Sequence, residues 1–304
     1  MPSPSDFDPP FGTALPLGGD IRRILAPNPS PMTWRGTNTY LVGRRGLAVI
    51  DPGPDNEAHF EAILRAVQPG QRITHILVSH AHLDHSPLAA PLAAATGAAI
   101  HGFGPADAGR SPVMQNFARS GLARGGEGVD HGFAPDIALP DGSVVSGDGW
   151  RITAHWTPGH FGNHLCFQLD RDVFSGDLVM GWASSLVSPP DGDLSDYMAS
   201  CRRIMALGAH RLLPGHGAPV CDPAARIEWL LAHRQAREAA ILAALKDGAA
   251  DATTLAKRIY TDTPAPLLPA AARNVLAHLI DLYTKDQITP ITTLSANAQF
   301  RLCG

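Results

Sequence analysis

Between residues 37 and 80 three short runs, "TNTYLVG", "GLAVIDPG" and "ITHILVSH", combine aliphatic and β-branched residues and close on a turn or polar signal. They predict strands, the last two buried. Between the second and third, "HFEAILRAVQPG" places Phe60, Ile63, Leu64 and Val67 on one helical face and stops at Pro69-Gly70. "PLAAPLAAATG" predicts a short helix closing at Gly97, followed by the strand "AAIHGF". Residues 102–140 show no firm period and are rich in Gly, Pro and charge, which predicts a lid-like or partly helical insertion. Strand patterns resume in "GSVVS", "WRITAHW", "HLCFQL" and "RDVFSGDL". "DLSDYMASCRRIMALG" then reads as a helix, with Asp193 or Ser195 as N-cap and Gly208 at its end. "RLLPGHGAPV" is a strand running into a loop.

The chain changes character near Asp222-Pro223. A long Ala-rich helix follows, with Ile227, Leu230, Leu231, Ile241, Leu242 and Leu245 in register. "TTLAKRIY" and "PAAARNVLAHLIDLYTKDQI" add two more helices, the latter opening on Pro269. With "ITPITT" after them, they predict a small winged-helix-like unit. The order of elements up to that point, strands interleaved with helices, predicts an α/β domain.

With 304 residues, 44% hydrophobic and 17% charged, the chain can build one large domain and a smaller second one. The net charge of -4 argues against a general nucleic-acid or anionic-membrane binder. The charge is uneven. Residues 1–225 hold 15 arginines and no lysine against 21 acids, while residues 226–304 hold 9 basic residues against 7 acids. Cys166, Cys201, Cys221 and Cys303 show no CxxC spacing and read as reduced thiols of a cytoplasmic protein. The proline-rich, acidic N-terminal stretch 1–20 has neither the basic nor the apolar region of a secretory signal. No apolar run approaches the roughly 18 residues of a membrane span.

The chemistry concentrates in "SHAHLDHSPLAA", where His80, His82, Asp84 and His85 leave a buried strand together. Residues i and i+2 of a strand share a face, so His80 and His82 can point the same way. Three more polar residues stand at strand-to-loop junctions: His160 in "TPGH", Asp177 in "FSGD" and His216 in "LLPGHG". Five imidazoles and two carboxylates suit zinc, with iron or manganese as alternatives, and seven ligands fit two metal ions better than one.

The pattern HxHxDH, then His, Asp and GHG, resembles the metallo-beta-lactamase superfamily of binuclear metal hydrolases. The resemblance implies an αββα sandwich in which His80, His82 and His160 hold one metal, Asp84, His85 and His216 the other, and Asp177 bridges them. "PNPSPMTWRGTNTYLVG", "TPGHFGNHLCF", "GDLVMGW", "SDYMASCRRI" and "HRQARE" narrow it to the beta-lactamase-like protein two branch, which adds a small winged-helix-type domain. On this reading residues 1–20 are a tail, 21–222 the catalytic domain and 223–304 the C-terminal domain. Asp177 in place of a cysteine departs from the antibiotic-degrading zinc lactamases, and His82 in place of a glutamate from the di-iron oxygen reductases. Leu83 and "HSPL" stand where two glycines are often found.

Two such metals, about 3.5–4 Å apart, can share a water and keep it as hydroxide at neutral pH. Asp84 can both bind metal and orient that nucleophile, so it is the candidate catalytic residue. The expected substrate is a small ester, thioester or lactone. Single-stranded RNA is the alternative, since some relatives cleave it, and a nucleic-acid-binding regulator with a vestigial site is a third reading that the intact ligand set argues against. The C-terminal unit suits a lid or a homodimer interface. Asp51 in "VIDPG" is a candidate to hydrogen-bond a ligand histidine, or else caps its turn. His164 reads as structural, Asn38 and Thr39 as pocket floor or turn, Trp182, Ser184 and Ser185 as pocket wall, and Cys221 as packing.

Overall fold

The computed structural model describes residues 7–121 and 128–303. Residues 1–6 of the N-terminal stretch, residues 122–127 of the 102–140 stretch and residue 304 lie outside the described residues. The chain opens with a meander of four antiparallel strands, β1 (Leu15–Gly18), β2 (Ile21–Leu25), β3 (Asn38–Val42) and β4 (Gly46–Ile50). Helix α1 (Glu57–Arg65) crosses to the parallel strand β5 (Arg72–Leu77), and α2 (Ala89–Thr96) to β6 (Ala99–Gly102). Helix α3 (Pro112–Ser120) and the short β7 (Ile137–Ala138) complete a seven-stranded sheet in sequential order. A second sheet contains β8 (Val144–Ser146), β9 (Arg151–Trp156), β10 (Leu165–Leu169), β11 (Asp172–Gly176) and β12 (Arg211–Pro214), with α4 (Leu194–Ala206) crossing between the last two.

Side-chain alternation in β3 and β4 sorts these elements into layers. Leu41, Leu47 and Val49 face outward onto Ala62, Ile63, Leu88 and Leu92 of the first helical layer. Tyr40, Val42, Ala48 and Ile50 face inward onto Ile152, Ala154, Leu165, Phe167 and Phe174 of the second sheet. A strand buried on both faces favours apolar residues at every position, which is why β4 reads as an unbroken run; in β3 the buried Asn38 and Thr39 are satisfied by hydrogen bonds. Beyond the second sheet, Cys166, Val173 and Leu212 pack on Leu194, Tyr197, Cys201 and Ile204 of α4. The result is an αββα sandwich.

Local signals set the element ends. Asp193 caps α4, accepting from the backbone N–H of Ser195 (2.9 Å) and Asp196 (3.3 Å). Helix α1 stops at Arg65, so Val67, expected on its face, lies past the end and still packs on the same core. The N-terminal stretch contributes β1, and Phe7 is buried and stacked on Trp34.

After the sandwich come α5 (Pro223–Leu245), α6 (Ala252–Ile259), α7 (Leu268–Thr284) and the hairpin β13 (Ile288–Pro290) and β14 (Phe300–Leu302). Ile241, Leu245, Leu255, Val275, Leu279 and Phe300 form their core. Met114 and Phe117 of α3 are buried in that same cluster, so the helical part of the 102–140 stretch docks on the C-terminal unit. No helix among the described residues is long and apolar enough to cross a membrane.

His278 on α7 is buried, and burial, together with the cations Arg234, Lys285 and Arg237 and with His233, pushes its pKa down to about 3. The unfolded chain takes up a proton near pH 6.5 that the folded chain refuses until about pH 3. Stability from this group is therefore complete above the unfolded pKa and is lost as pH falls through that window. A His278→Leu chain should show a smaller drop in Tm between pH 7 and about pH 4 than the parent. Equal drops in thermal melts would show that His278 does not carry the effect.

Candidate metal centre

All seven predicted side chains converge at one end of the two sheets, where β5, β11 and β12 run out. His80 follows β5 by three residues, Asp177 directly follows β11, and His216 follows β12 by two. His160 lies on the β9–β10 loop. Among the described residues three groups of potential ligand atoms form: His80, His82 and His160; His80, His85 and Asp177; and Asp84, His85 and His216. In the first, His80 Nε2 lies 2.8 Å and His160 Nε2 3.1 Å from His82 Nδ1. In the last, His216 Nε2 lies 3.2 Å from Asp84 Oδ2 and 3.3 Å from Asp177 Oδ2. Asp177 Oδ1 lies 3.5 Å from His85 Nε2, and its Oδ2 lies 3.7 Å from His160 Nε2, so this carboxylate stands between the two ends of the cluster.

The outward nitrogens fix the inward ones. A carbonyl can only accept, so His160 Nδ1–H donates to Leu186 O (2.6 Å) and His216 Nδ1–H to Gly36 O (3.1 Å). His85 Nδ1–H donates to Asp51 Oδ2 (2.9 Å). Ser79 Oγ gives its proton to Asp51 Oδ2 (2.8 Å) and therefore accepts from His80 Nδ1–H (2.9 Å). Asp51 also takes the Ser79 backbone N–H (2.7 Å), so one carboxylate orients two of the histidines. In each of these four imidazoles Nδ1 is the outward nitrogen and Nε2 is the one aimed at the shared centre, the arrangement that orients metal ligands.

These residues fit a metal. Two imidazole nitrogens on one tetrahedral zinc sit about 3.4 Å apart, close to the separations around His82. One proton on His82 Nδ1 serves one of its two neighbours at a time, whereas a cation serves all three. His85 Nε2 and Asp177 Oδ1 are buried without a hydrogen-bond partner among the described residues. Such polar atoms are costly to bury unless something binds them. Gly215 leaves the room required: a Cβ there would fall 2.5 Å from Asp177 Oδ1 and 2.6 Å from His85 Cε1.

Electrostatics divides the cluster in two. Burial, reinforced by neighbouring imidazoles, holds His80 well below its ordinary pKa and takes His82 down to about 3; burial also lowers His160. These three are neutral near pH 7, the form that ligates metal. Burial opposes charge at the other end too, but carboxylates outweigh it. Asp84, Asp177 and Asp51 hold His85 well above its usual value, and Asp177 and Asp84 push His216 up to about 10. Conversely, His85 and His216 override burial and hold Asp84 and Asp177 below the usual carboxylate range.

The remaining candidates separate clearly. His164 has both nitrogens engaged, Nε2 accepting from the Asp177 backbone N–H (3.2 Å) and Nδ1 donating to Thr157 (2.9 Å). It is structural and holds Asp177 in place. Asn38 Nδ2 donates to Pro214 O and Gly217 O (both 2.9 Å) and pins the loop that carries His216. Thr39 donates to Asp51 O (2.7 Å) and accepts from His59 Nε2 (2.8 Å). Trp182 stacks on Trp34 (5.5 Å) over Gly217, next to His216, while Ser185 is buried and donates to Leu178 O. Cys221 is exposed and does not pack. Ser79 and the carbonyls of Gly36 and Leu186 were not legible in advance; of these only Ser79 carries a sequence signal, its place beside His80.

Comparison with known proteins agrees with the architecture. The Metallo-beta-lactamase superfamily description matches residues 32–216, and the Beta-lactamase associated winged helix domain description matches residues 252–291. The chain belongs to the metallo-beta-lactamase superfamily and is a metal-dependent hydrolase of that class, with a winged-helix domain following the catalytic sandwich. Among curated relatives, it is 30% identical over 274 residues to an atrochrysone carboxyl ACP thioesterase of Aspergillus fumigatus, covering 88% of this chain and 78% of that one. It is 30% identical over 265 residues to a beta-lactamase-like protein 2 homolog of Caenorhabditis elegans, covering 85% and 82%. A metallo-beta-lactamase family protein of Thermus thermophilus superposes with TM-score 0.75 at 25% identity, covering 95% of this chain and all of that one.

Asp51→Asn keeps the size of the side chain and suits the left-handed backbone at this position (φ 51°). It removes one full acceptor from His85 and Ser79. Chelator competition should show metal affinity reduced about 10–100-fold with the fold intact. Unchanged affinity would reduce Asp51 to a turn cap.

Proposed function

We propose that the chain is a binuclear metal-dependent hydrolase of small acyl substrates, thioesters foremost, with esters and lactones in the same class. The observation that carries the reading is the place of Asp177 between two ligand groups: its Oδ2 faces His160 of one group and His216 of the other, and its Oδ1 faces His85. His80, His82 and His160 would hold one divalent ion, and Asp84, His85 and His216 the other. Zinc is the first candidate, with iron and manganese as alternatives. When bound, the ions supply Lewis acidity for a carbonyl oxygen and lower the pKa of a nucleophilic water.

The chain's own groups do the rest. Asp84 is the most open of the site's carboxylates, its side chain 26% exposed against 9% for Asp177, so it can reach both a ligand position and an incoming water. Its depressed pKa keeps it a carboxylate, which accepts a hydrogen bond from the water and aligns the oxygen for attack. The stacked Trp34 and Trp182 beside Gly217 offer apolar ring surface next to His216, which suits an acyl group. The thioesterase among the relatives supports the substrate class. The acidic balance of residues 1–225 weighs against a polyanionic substrate.

Metal-reconstituted protein should release free thiol from an acyl-N-acetylcysteamine thioester. Asp177→Ala should lower kcat/KM at least about a hundredfold by removing the shared carboxylate. A loaded enzyme that leaves thioesters, esters and lactones intact but cuts labelled single-stranded RNA, with the cut lost in Asp177→Ala, would replace the acyl reading with the ribonuclease one.

A further inference from the structure

The loop that leaves the site at Asp177 returns to the catalytic sandwich at the Asp193 cap of α4. Between these points, side chains from the C-terminal helices take its backbone groups in succession. Arg226 of α5 donates through Nε to Met180 O and through Nη2 to Ala183 O, both at 2.7 Å. Arg234, two turns further along α5 and 2% exposed, donates through Nη2 to Ser185 O and through Nη1 to Asn274 Oδ1 (2.9 Å). The same Asn274 oxygen, on α7, accepts from the backbone N–H of Val187 (3.0 Å).

Leu186 lies between Ser185 and Val187, and its carbonyl accepts the Nδ1–H of His160. The peptide that orients this histidine is thus held on both sides by one Arg–Asn pair. Burying a guanidinium is unfavourable, and an apolar side chain would fill the same space with a smaller desolvation penalty. Arg234 is retained where its fork of donors reaches one carbonyl and one amide oxygen at once. Ser185 Oγ, the loop's own hydroxyl at this point, donates to Leu178 O, away from Leu186.

We infer that Asn274 and Arg234 are positioning residues for the metal centre. Through Ser185 and Val187 they set the Leu186 carbonyl against His160 Nδ1–H and thereby the direction of His160 Nε2. The inference rests on reading His80, His82 and His160 as the ligands of one ion. It gives the C-terminal domain a part in completing the catalytic site, independent of any nucleic-acid partner.

The test measures zinc binding to metal-free full-length chain by chelator competition, together with the visible spectrum of the cobalt-loaded protein. Asn274→Ala should weaken one of the two zinc sites about tenfold and alter the cobalt spectrum. Asn274→Asp keeps the accepting oxygen and should stay within about twofold of the parent. Leu255→Ala removes a buried core side chain of α6 outside this loop's contacts; it should lower Tm by several degrees and leave both affinities unchanged. The inference is overturned if Asn274→Ala binds zinc as the parent does, or if Leu255→Ala weakens the same site equally. A His160→Ala chain that kept both affinities would instead remove the ligand reading itself, and the inference with it.

Discussion

Imidazole lone pairs repel when they are brought to about 3 Å of one another, and a carboxylate buried beside them adds charge that water no longer screens. That crowding is the constraint on which this structure turns. Around His82 two neighbouring nitrogens approach to 2.8 and 3.1 Å, and His85 Nε2 and Asp177 Oδ1 are buried without hydrogen bonds among the described residues. Left to themselves these groups would spread or protonate. The chain uses Asp51, Ser79, and the carbonyls of Gly36 and Leu186 to keep Nε2 of His80, His85, His160 and His216 facing inward. Such an arrangement is stable when a cation occupies its focus.

The sandwich exists in the form that makes this focus accessible. Strands β3 and β4 are buried on both faces, and the site loops leave from strand ends held by the inter-sheet core. Asn38 ties β3 to the His216 loop, and His164 ties β10 to Asp177. The C-terminal domain joins the same scheme, since α5 and α7 hold the loop that follows Asp177. Catalytic sandwich and winged helix are therefore mechanically continuous, although the sequence changes character between them.

Much of this was legible from residue pattern. All seven candidate ligands fall into one cluster because they lie at strand ends or on the loops that leave them, where the backbone leaves the core and a polar side chain is tolerated. The apolar runs of β4 and β5 announced buried strands. Other parts left no trace. Strands β1 and β2 lie partly in a Pro- and Gly-rich stretch that reads as irregular, and they form because β3 offers an edge to pair with. The docking of α3 on the C-terminal core is a long-range contact that no local period encodes. The carbonyls of Gly36 and Leu186 orient two histidines, yet a backbone oxygen is the same at every residue. Asp51 was ambiguous for a related reason: a turn cap and a histidine acceptor have the same sequence context, and only the 2.9 Å contact with His85 separates them.

Anomalous diffraction from crystals of metal-loaded protein, collected at the absorption edge of the bound metal, examines this arrangement most directly. Two anomalous peaks are expected, one among His80, His82 and His160 and one among Asp84, His85 and His216, with Asp177 between them. A single peak, or peaks away from these side chains, would contradict the binuclear reading.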